Sequence, residues 1–487
     1  MTESIRGRIR AMSVPATATI AEAMRAIDRG ELNVALLVGG GGAFVGLATD
    51  GDLRRALLRG AGLDAPVSEA ANPAAKTAPL GMAADEVAAL FSEPVRVVPL
   101  LDDDGRVADL ALFDSRVRLP VAEPLLGEAE LRYVSECVLT GWVSSAGRFV
   151  GRFEELFAER CGVEHAIAVS NGTAALHVAL VALGIGPGDE VIVPALTFVA
   201  TANAVAYTGA TPVFADSEPV TWNVDPQAVA AAITPRTRAI IPVHLYGHPA
   251  DMDAIVAVAG EHGIPIVEDA AEAHGALYKG RSVGSLGLAG TFSFYGNKIV
   301  TTGEGGMVVT NDRALAERVR VLRDHGMEPG RRYWHPVLGF NYRLTNLQAA
   351  LGVAQLEKLD EILAAKRRVA ERYAAGLRDR PGITLPPEEP WARSVHWLYS
   401  ILVDPVELGA ERDVVMDALD AAGIESRPFF TPLHQQPLYK TAERLPVAER
   451  LAERGLSLPS AVTLAPAEID RVVETLAAIS REPAAAP

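Results

Sequence analysis

Cysteine is scarce: Cys137 and Cys161 are the only two in 487 residues. Neither a disulfide framework nor a cysteine-only iron–sulfur cluster, which takes about four thiolates, can be built from them within one chain. No apolar run is long enough to span a bilayer, and the opening Met-Thr-Glu-Ser-Ile-Arg-Gly-Arg leads into no apolar signal core. The sequence therefore reads as cytoplasmic, with no membrane partner. Basic residues are also short. Against 61 Asp and Glu there are 45 Lys and Arg, a net charge of −16. That balance argues against nucleic acid and anionic lipid as partners while leaving room for a local phosphate pocket. No motif in the chain asks for a metal. The apolar fraction of 49% and charged fraction of 22% are ordinary for a globular protein with a sizeable core, and the length allows about three or four domains.

One stretch organises the rest. Thr291 to Tyr295 alternates small or polar residues with aromatics, close to the period of a strand. Gly296 permits a tight turn, and Lys298 follows it, ahead of a Gly-Glu-Gly-Gly loop at 303–306. A lysine delivered at the end of a buried strand loses proton affinity, which suits an imine-forming amine. Upstream, Ile264 to Val267 reads as a short strand with Asp269 at its carboxyl end, the edge where open α/β sheets bind ligands. An acid there and a distant lysine suit pyridoxal phosphate (PLP). The lysine holds the aldehyde as a Schiff base, and the acid keeps the ring nitrogen protonated. Taken alone, Asp269 reads as the N-cap of the Ala-rich segment after it. A third piece, Ser170-Asn-Gly-Thr173, follows the strand His165–Val169 and opens a helix to about Leu183. Its exposed N–H groups would bind phosphate; alone it is an ordinary cap. The three pieces together, each at a strand end, are hard to obtain by chance.

Residues 1–118 read as a separate module. A helix at Thr19–Asp28, strands at Val34–Val38 and Ala43–Ala48 around a four-glycine turn, and a helix opening at Thr49 partly recur. The second copy has a helix at Ala83–Phe91, strands at Val95–Leu100 and Val107–Leu112, and Asp114. This duplication resembles a pair of CBS domains, and Gly46-Leu-Ala-Thr-Asp-Gly-Asp-Leu-Arg54 matches the motif that holds a nucleotide's ribose and phosphate in such pairs. The resemblance implies a regulatory nucleotide at Thr49 and Asp52. The second copy carries Ala111 in place of Thr49, which puts one of two nucleotide sites in doubt, and a module used only for assembly is the alternative.

From Leu119 to about residue 475 the chain resembles the DegT/DnrJ/EryC1/StrS family of PLP-dependent sugar aminotransferases. The motifs are Thr140-Gly-Trp-Val-Ser-Ser-Ala-Gly147, Ser170-Asn-Gly-Thr-Ala-Ala-Leu176, Pro194-Ala-Leu-Thr-Phe-Val-Ala-Thr201, Val243-His-Leu-Tyr-Gly247, Glu268-Asp-Ala-Ala271, Ser293-Phe-Tyr-Gly-Asn-Lys298 and Gly339-Phe-Asn-Tyr-Arg343. The resemblance implies an α/β, PLP fold-type I architecture. A linker at 119–125 would lead to a large domain with a mostly parallel sheet at 126–355. A small α+β domain at 356–487 would end in a disordered tail. Short apolar strands at 191–193, 211–214, 239–243 and 265–267, alternating with helices, point independently to βαβ units.

The resemblance also implies roles. Lys298 carries the cofactor and moves protons, and Asp269 pairs with the ring nitrogen. Gly172, Thr173 and Ser293 hold its phosphate, Phe198 stacks on its ring, and Glu272 sits at the ring hydroxyl. Asn341 reaches the neighbouring subunit's cofactor in a homodimer or higher homo-oligomer. Trp142, Ser144, His244, Tyr246, Arg343, Arg427 and His434 are candidates for the substrate side, each equally readable as a structural ion pair or capped turn. L-glutamate would donate the amino group and a nucleotide-linked keto-deoxysugar would receive it. The stretch from Ser293 to Gly306 most resembles the branch acting at C4 of GDP-4-keto-6-deoxymannose. UDP- or dTDP-linked 4-keto or 3-keto sugars are alternatives, and a catalytically silent nucleotide sensor is the rival from another class.

Overall fold

The computed structural model describes residues 9–30, 33–82, 86–87, 90, 95, 97–112 and 119–479. The chain forms two compact units, Met1–Arg118 and Leu119–Pro487. No helix among the described residues is long and apolar enough to cross a membrane.

In the first unit, strand Ser13–Pro15 runs parallel to Val34–Val38, which pairs antiparallel with Phe44–Thr49. Helix Ile20–Gly30 lays Ala23, Ala26 and Ile27 against this sheet. The glycine run makes the hairpin turn, with Gly41 and Gly42 at positive φ that other residues rarely adopt. The pattern then repeats: Ala78–Pro79 is parallel to Val97–Leu101, which is antiparallel to Val107–Leu112. Both hairpins carry a register shift at the same place, between Leu37 and Val38 and between Leu100 and Leu101. Most of the helix expected at Ala83–Phe91, and Asp114, lie outside the described residues, as does the tail at 483–487.

In the second unit, strands Thr211–Ala215, Glu190–Pro194 and Thr237–Ile240 form one parallel group. Parallel bridges from Ile240 to Ile266 and from Val243 to Asp269 continue it into Val267–Asp269, Ala289–Ser293, Gly306–Thr310 and His165–Val169. Only Gly306–Thr310 runs against its neighbours. The strand carrying Asp269 sits slightly later than its apolar run predicts, because its ladder is set by pairing with Ala289–Ser293. Helix Gly172–Ala182 is apolar on nearly every side and is buried accordingly. Phe292 and Phe294 point into an aromatic cluster with Phe153 and Phe157, so the strand's other face is left to the site.

Lys358 separates helices Asn346–Glu357 and Leu359–Leu377. A further four-stranded antiparallel sheet follows, in the order Ile383–Thr384, Tyr399–Val403, Gly455–Leu458, Arg427–Pro428. Helices Leu359–Leu377, Arg412–Ala421 and Pro466–Ile479 pack with it around a core that includes Tyr373, Tyr399 and Ile401. The segment 119–125 differs from a free linker. Leu119 and Val121 are buried, and Leu119 exchanges backbone hydrogen bonds with Gly423 and Glu425. Its two buried side chains alternate, which lets one edge of an extended segment enter the core.

Candidate active site

The strand ends converge on one edge. Asp269 lies opposite Thr291, Ser293 opposite Gly306, and Gly306 opposite Val169. Two contacts there admit only glycine. A Cβ on Gly172 would lie 2.7 Å from the Ser293 Cβ, and one on Gly306 would strike the Asn171 carbonyl. Helix Gly172–Ala182 therefore begins against Ser293, with Asn171 as its cap accepting from the Ala174 N–H at 2.8 Å. Arg343 pairs with Val169 across the same edge, and the Tyr342 carbonyl accepts from the Ser170 N–H.

Two adjacent acids behave differently. Glu268 is fully buried and accepts from the N–H groups of Gly284 at 2.7 Å, Leu286 at 2.6 Å and Gly287 at 2.6 Å. His244 Nε2 completes the set at 3.0 Å. Among the described residues, the Asp269 carboxylate takes only the Thr201 hydroxyl at 2.8 Å and the Ala271 N–H at 3.2 Å. Burial raises its pKa, more than these hydrogen bonds and the field of Lys298 lower it. Glu272 is pushed up to about 7 by burial, against the pull of Lys298. One of its oxygens accepts the Tyr246 N–H at 2.8 Å and the other lies 3.7 Å from Lys298 Nζ. Burial lowers the pKa of Lys298, opposed by Glu272 and Asp269. Its ammonium sits 3.7 Å above the centroid of the Trp397 ring.

This donor set fits PLP. Burial holds the lysine toward its neutral, nucleophilic form, the buried acid is short of a cationic partner, and the cradle at Gly172 and Ser293 opens on a helix N-terminus. Phe198 precedes Thr201 by one turn, joined by the Thr201 N–H to the Phe198 carbonyl, and is half-exposed beside Phe430.

The substrate-side candidates separate into two groups. His244 is corrected. It has no exposed surface, its Nδ1 accepts the Ala250 N–H at 3.1 Å, and its Nε2 serves Glu268, so neither nitrogen is left for a ligand. It braces the strand end instead, its N–H bonding the Asp269 carbonyl. Tyr246 is buried, its hydroxyl accepting from the Phe430 N–H. His434 is buried with Nε2 on Glu449 at 3.2 Å. In contrast Trp142 and Arg427 are exposed, as is Asn341, the residue expected to reach the neighbouring subunit's cofactor. Arg427 pairs with Glu425 at 3.2 Å and Arg343 with Asp324 at 3.0 Å. Ser144 lends its carbonyl to the Asn346 N–H. Among the described residues, none of Trp142, Ser144, Asn341, Arg343 and Arg427 hydrogen-bonds to Lys298, Asp269 or Glu272.

Thr201, Trp397 and Asn346 escape sequence reasoning. Thr201 lies inside a motif, three residues after Phe198, and its spacing is the signal. Asn346 donates to the Trp142 carbonyl at 2.7 Å and accepts from the Phe149 N–H at 3.0 Å, pinning the segment of Trp142 and Ser144. Trp397 comes from just before strand Tyr399–Val403, a hundred residues beyond the Asn297 carbonyl its indole N–H meets, and nothing local announces it. In the first unit, Thr49 and Asp52 form a reciprocal capping box at helix Asp50–Leu58, and Asp52 also holds Arg55 at 2.6 Å.

Comparison with known proteins agrees with this geometry. Residues 124–477 match the DegT/DnrJ/EryC1/StrS aminotransferase family, and residues 6–59 match the CBS domain. GDP-perosamine synthase of Caulobacter vibrioides is 54% identical over 74% of this chain and 97% of its own length. The enzyme of that name from Escherichia coli O157:H7 is 45% identical over the same shares. Among solved structures, the aminotransferase TlmJ of Streptoalloteichus hindustanus has a TM-score of 0.71 at 36% identity, covering 74% of this chain and 98% of its own. DesI, solved in the presence of its TDP-sugar product, has a TM-score of 0.70 at 37% identity, covering 75% and 93%. The chain belongs to the DegT/DnrJ/EryC1/StrS family and is a PLP-dependent sugar aminotransferase with an N-terminal CBS domain.

Proposed function

We propose that this aminotransferase converts GDP-4-keto-6-deoxy-D-mannose to GDP-perosamine with L-glutamate as amino donor. The observation that carries this reading is the likeness to GDP-perosamine synthases, at 45–54% identity over 94–97% of their lengths. Bound PLP supplies an aldehyde that carries the amino group between donor and acceptor and a ring that accepts electrons during the proton shifts. The protein does the rest. The Gly172–Thr173 turn and Ser293 hold the phosphate, and Asp269 holds the ring nitrogen through its carboxylate. Lys298 attaches the cofactor and, once released, carries the proton between carbon centres at Nζ. Glu272 shares the field around that amine. Trp142, Ser144, Arg343 and Arg427 are left for the nucleotide sugar, and Asn341, exposed in one chain, serves the neighbouring subunit's site.

The deciding experiment incubates the protein with PLP, L-glutamate and, separately, GDP-, UDP- and dTDP-linked 4-keto-6-deoxysugars, and follows products by mass spectrometry. Amination of the GDP compound alone supports the reading; amination of a UDP or dTDP compound instead overturns it. The shared site has its own test. Mixed dimers of Lys298→Ala and Asn341→Ala chains regain activity that neither homodimer has, because one site then receives both wild-type residues. For the N-terminal unit we propose nucleotide binding at Thr49 and Asp52 that regulates amination. Equal kinetics of the full chain with and without adenine and guanine nucleotides would count against it.

A further inference from the structure

Trp397 belongs to no sequence motif of the site, yet its placement is specific. Its indole N–H donates to the Asn297 carbonyl at 2.8 Å, one residue before the lysine. Its backbone N–H bonds the Tyr246 carbonyl at 3.1 Å, and its own carbonyl accepts from Lys366 Nζ at 2.8 Å. The ring is buried and stacks at 19° on Tyr246. It is thus fixed at its edge, at its backbone and on one side. The Lys298 ammonium lies 3.7 Å from the ring centroid, at the same distance as from the Glu272 carboxylate. A ring that only filled space would need neither the hook to residue 297 nor a cation on its face. Indole is the aromatic side chain that attracts a desolvated ammonium most strongly.

We infer that Trp397 is a positioning residue that receives the Lys298 amine whenever it is not bonded to the cofactor, holding it as an ammonium against the ring face within reach of the site. The inference rests on the aminotransferase reading but on no particular nucleotide sugar. It assigns the C-terminal part of the chain a direct part in the lysine's chemistry: the bend just before strand Tyr399–Val403 carries the ring, and the hydrogen bond to residue 297 ties it to the lysine's own turn. During each cycle the lysine is displaced and must return. A fixed cationic resting place limits the conformers it samples, and keeps its proton until the cofactor carbon calls for the neutral amine.

The test uses the full chain loaded with pyridoxamine 5′-phosphate, which has no aldehyde and leaves Lys298 free. Trinitrobenzenesulfonate labelling of Lys298 is followed by peptide mass spectrometry against pH, because only the neutral amine reacts. Trp397→Phe keeps a π face and Trp397→Met removes it while filling similar space. The pH of half-maximal labelling is expected to fall by about half to one unit for Met and by less for Phe, the size of a cation–π contact. Equal shifts for Phe and Met, or an upward shift for Met, would overturn the inference. Where Met fails to fold, protein grown on 5-fluoro- and then 5,7-difluorotryptophan replaces all five tryptophans without changing their shape. A stepwise downward shift supports the inference, and an unmoved profile sinks it. Loss of the substrate reading would leave all these labelling profiles unchanged, so the two ideas fail separately.

Discussion

The strand-end site of the parallel sheet and the helix beside the antiparallel sheet each keep a lysine out of water, and the two are held in different ways. Lys366, on helix Leu359–Leu377, donates to the carbonyls of Trp397 at 2.8 Å and Ser460 at 2.6 Å. Burial pushes its pKa down to about 7. Among the described residues, Lys298 has no carbonyl partner for Nζ. It faces a carboxylate at 3.7 Å and an aromatic ring, and burial lowers its pKa against the pull of two acids. Burial and a displaced pKa are therefore common to both, and neither marks the reactive amine. Partners do. Short fixed hydrogen bonds make a structural lysine that staples residue 397 to residue 460, whereas longer electrostatic contacts leave the other amine free to change bonds. Trp397 joins the two, its carbonyl held by one and its ring facing the other.

The comparison breaks most visibly at the reactive lysine. Lys298→Ala should lower turnover by at least about 10⁴-fold, since it removes both the attachment and the proton carrier, with little change in thermal stability. Product formation and calorimetry on the same sample check this; retained turnover would remove the mechanism. Changing the acids around the lysine sharpens the contrast. Asp269→Asn should reduce turnover about 10³-fold, because the amide cannot hold a protonated ring nitrogen. Thr201→Val should reduce it about tenfold, by loosening the same carboxylate without removing it. If Thr201→Val matched Asp269→Asn, the threonine would be more than a positioning residue.

Lys366→Met should leave turnover per folded site within a few-fold but cost about 2–3 kcal/mol, because two buried carbonyls lose their donor. The pH dependence follows from the lowered pKa. Between about pH 7 and the unfolded value near 10.5 the unfolded chain binds the proton and the native chain does not, so stability rises with pH across that window. Below about pH 7 both states hold the proton and the slope vanishes. The deficit of the Met variant relative to wild type should therefore widen from pH 7 upward. Denaturant midpoints at pH 7 and pH 9 measure it, and a constant difference would show that Lys366 keeps its proton when folded.

Much of this was legible before any fold was known. Helix Ala200–Tyr207 and strands Val34–Val38 and Val107–Leu112 fall where their composition puts them, because local periodicity and turn residues act over a few positions. Lys298, Asp269 and the Gly172 turn could be singled out for a similar reason: each sits at the end of a short strand in a recognisable stretch. His244 could not be read correctly. In sequence it is one more histidine at a strand end, and only the convergence of the Gly284, Leu286 and Gly287 N–H groups on Glu268 turns it into a brace. The segment 119–125 differs from its sequence reading for a related reason. Prolines suggest a linker, while its burial depends on partners at residues 423–425 and 460, more than three hundred positions away.

By itself the sequence singles out the candidates for the chemistry: one lysine, one acid, one glycine turn, and the order in which strands present them. Tertiary structure alone decided the electrostatics of that chemistry. Whether Glu268 or Asp269 is the acid left wanting a cation depends on which of them the backbone N–H groups of 284–287 surround. Whether a buried lysine is left free to react or is stapled in place depends on what distant segments of the chain place beside it. Those are distances between groups far apart along the chain, and hydrogen bonds and fields respond to distance in space, not to separation in sequence.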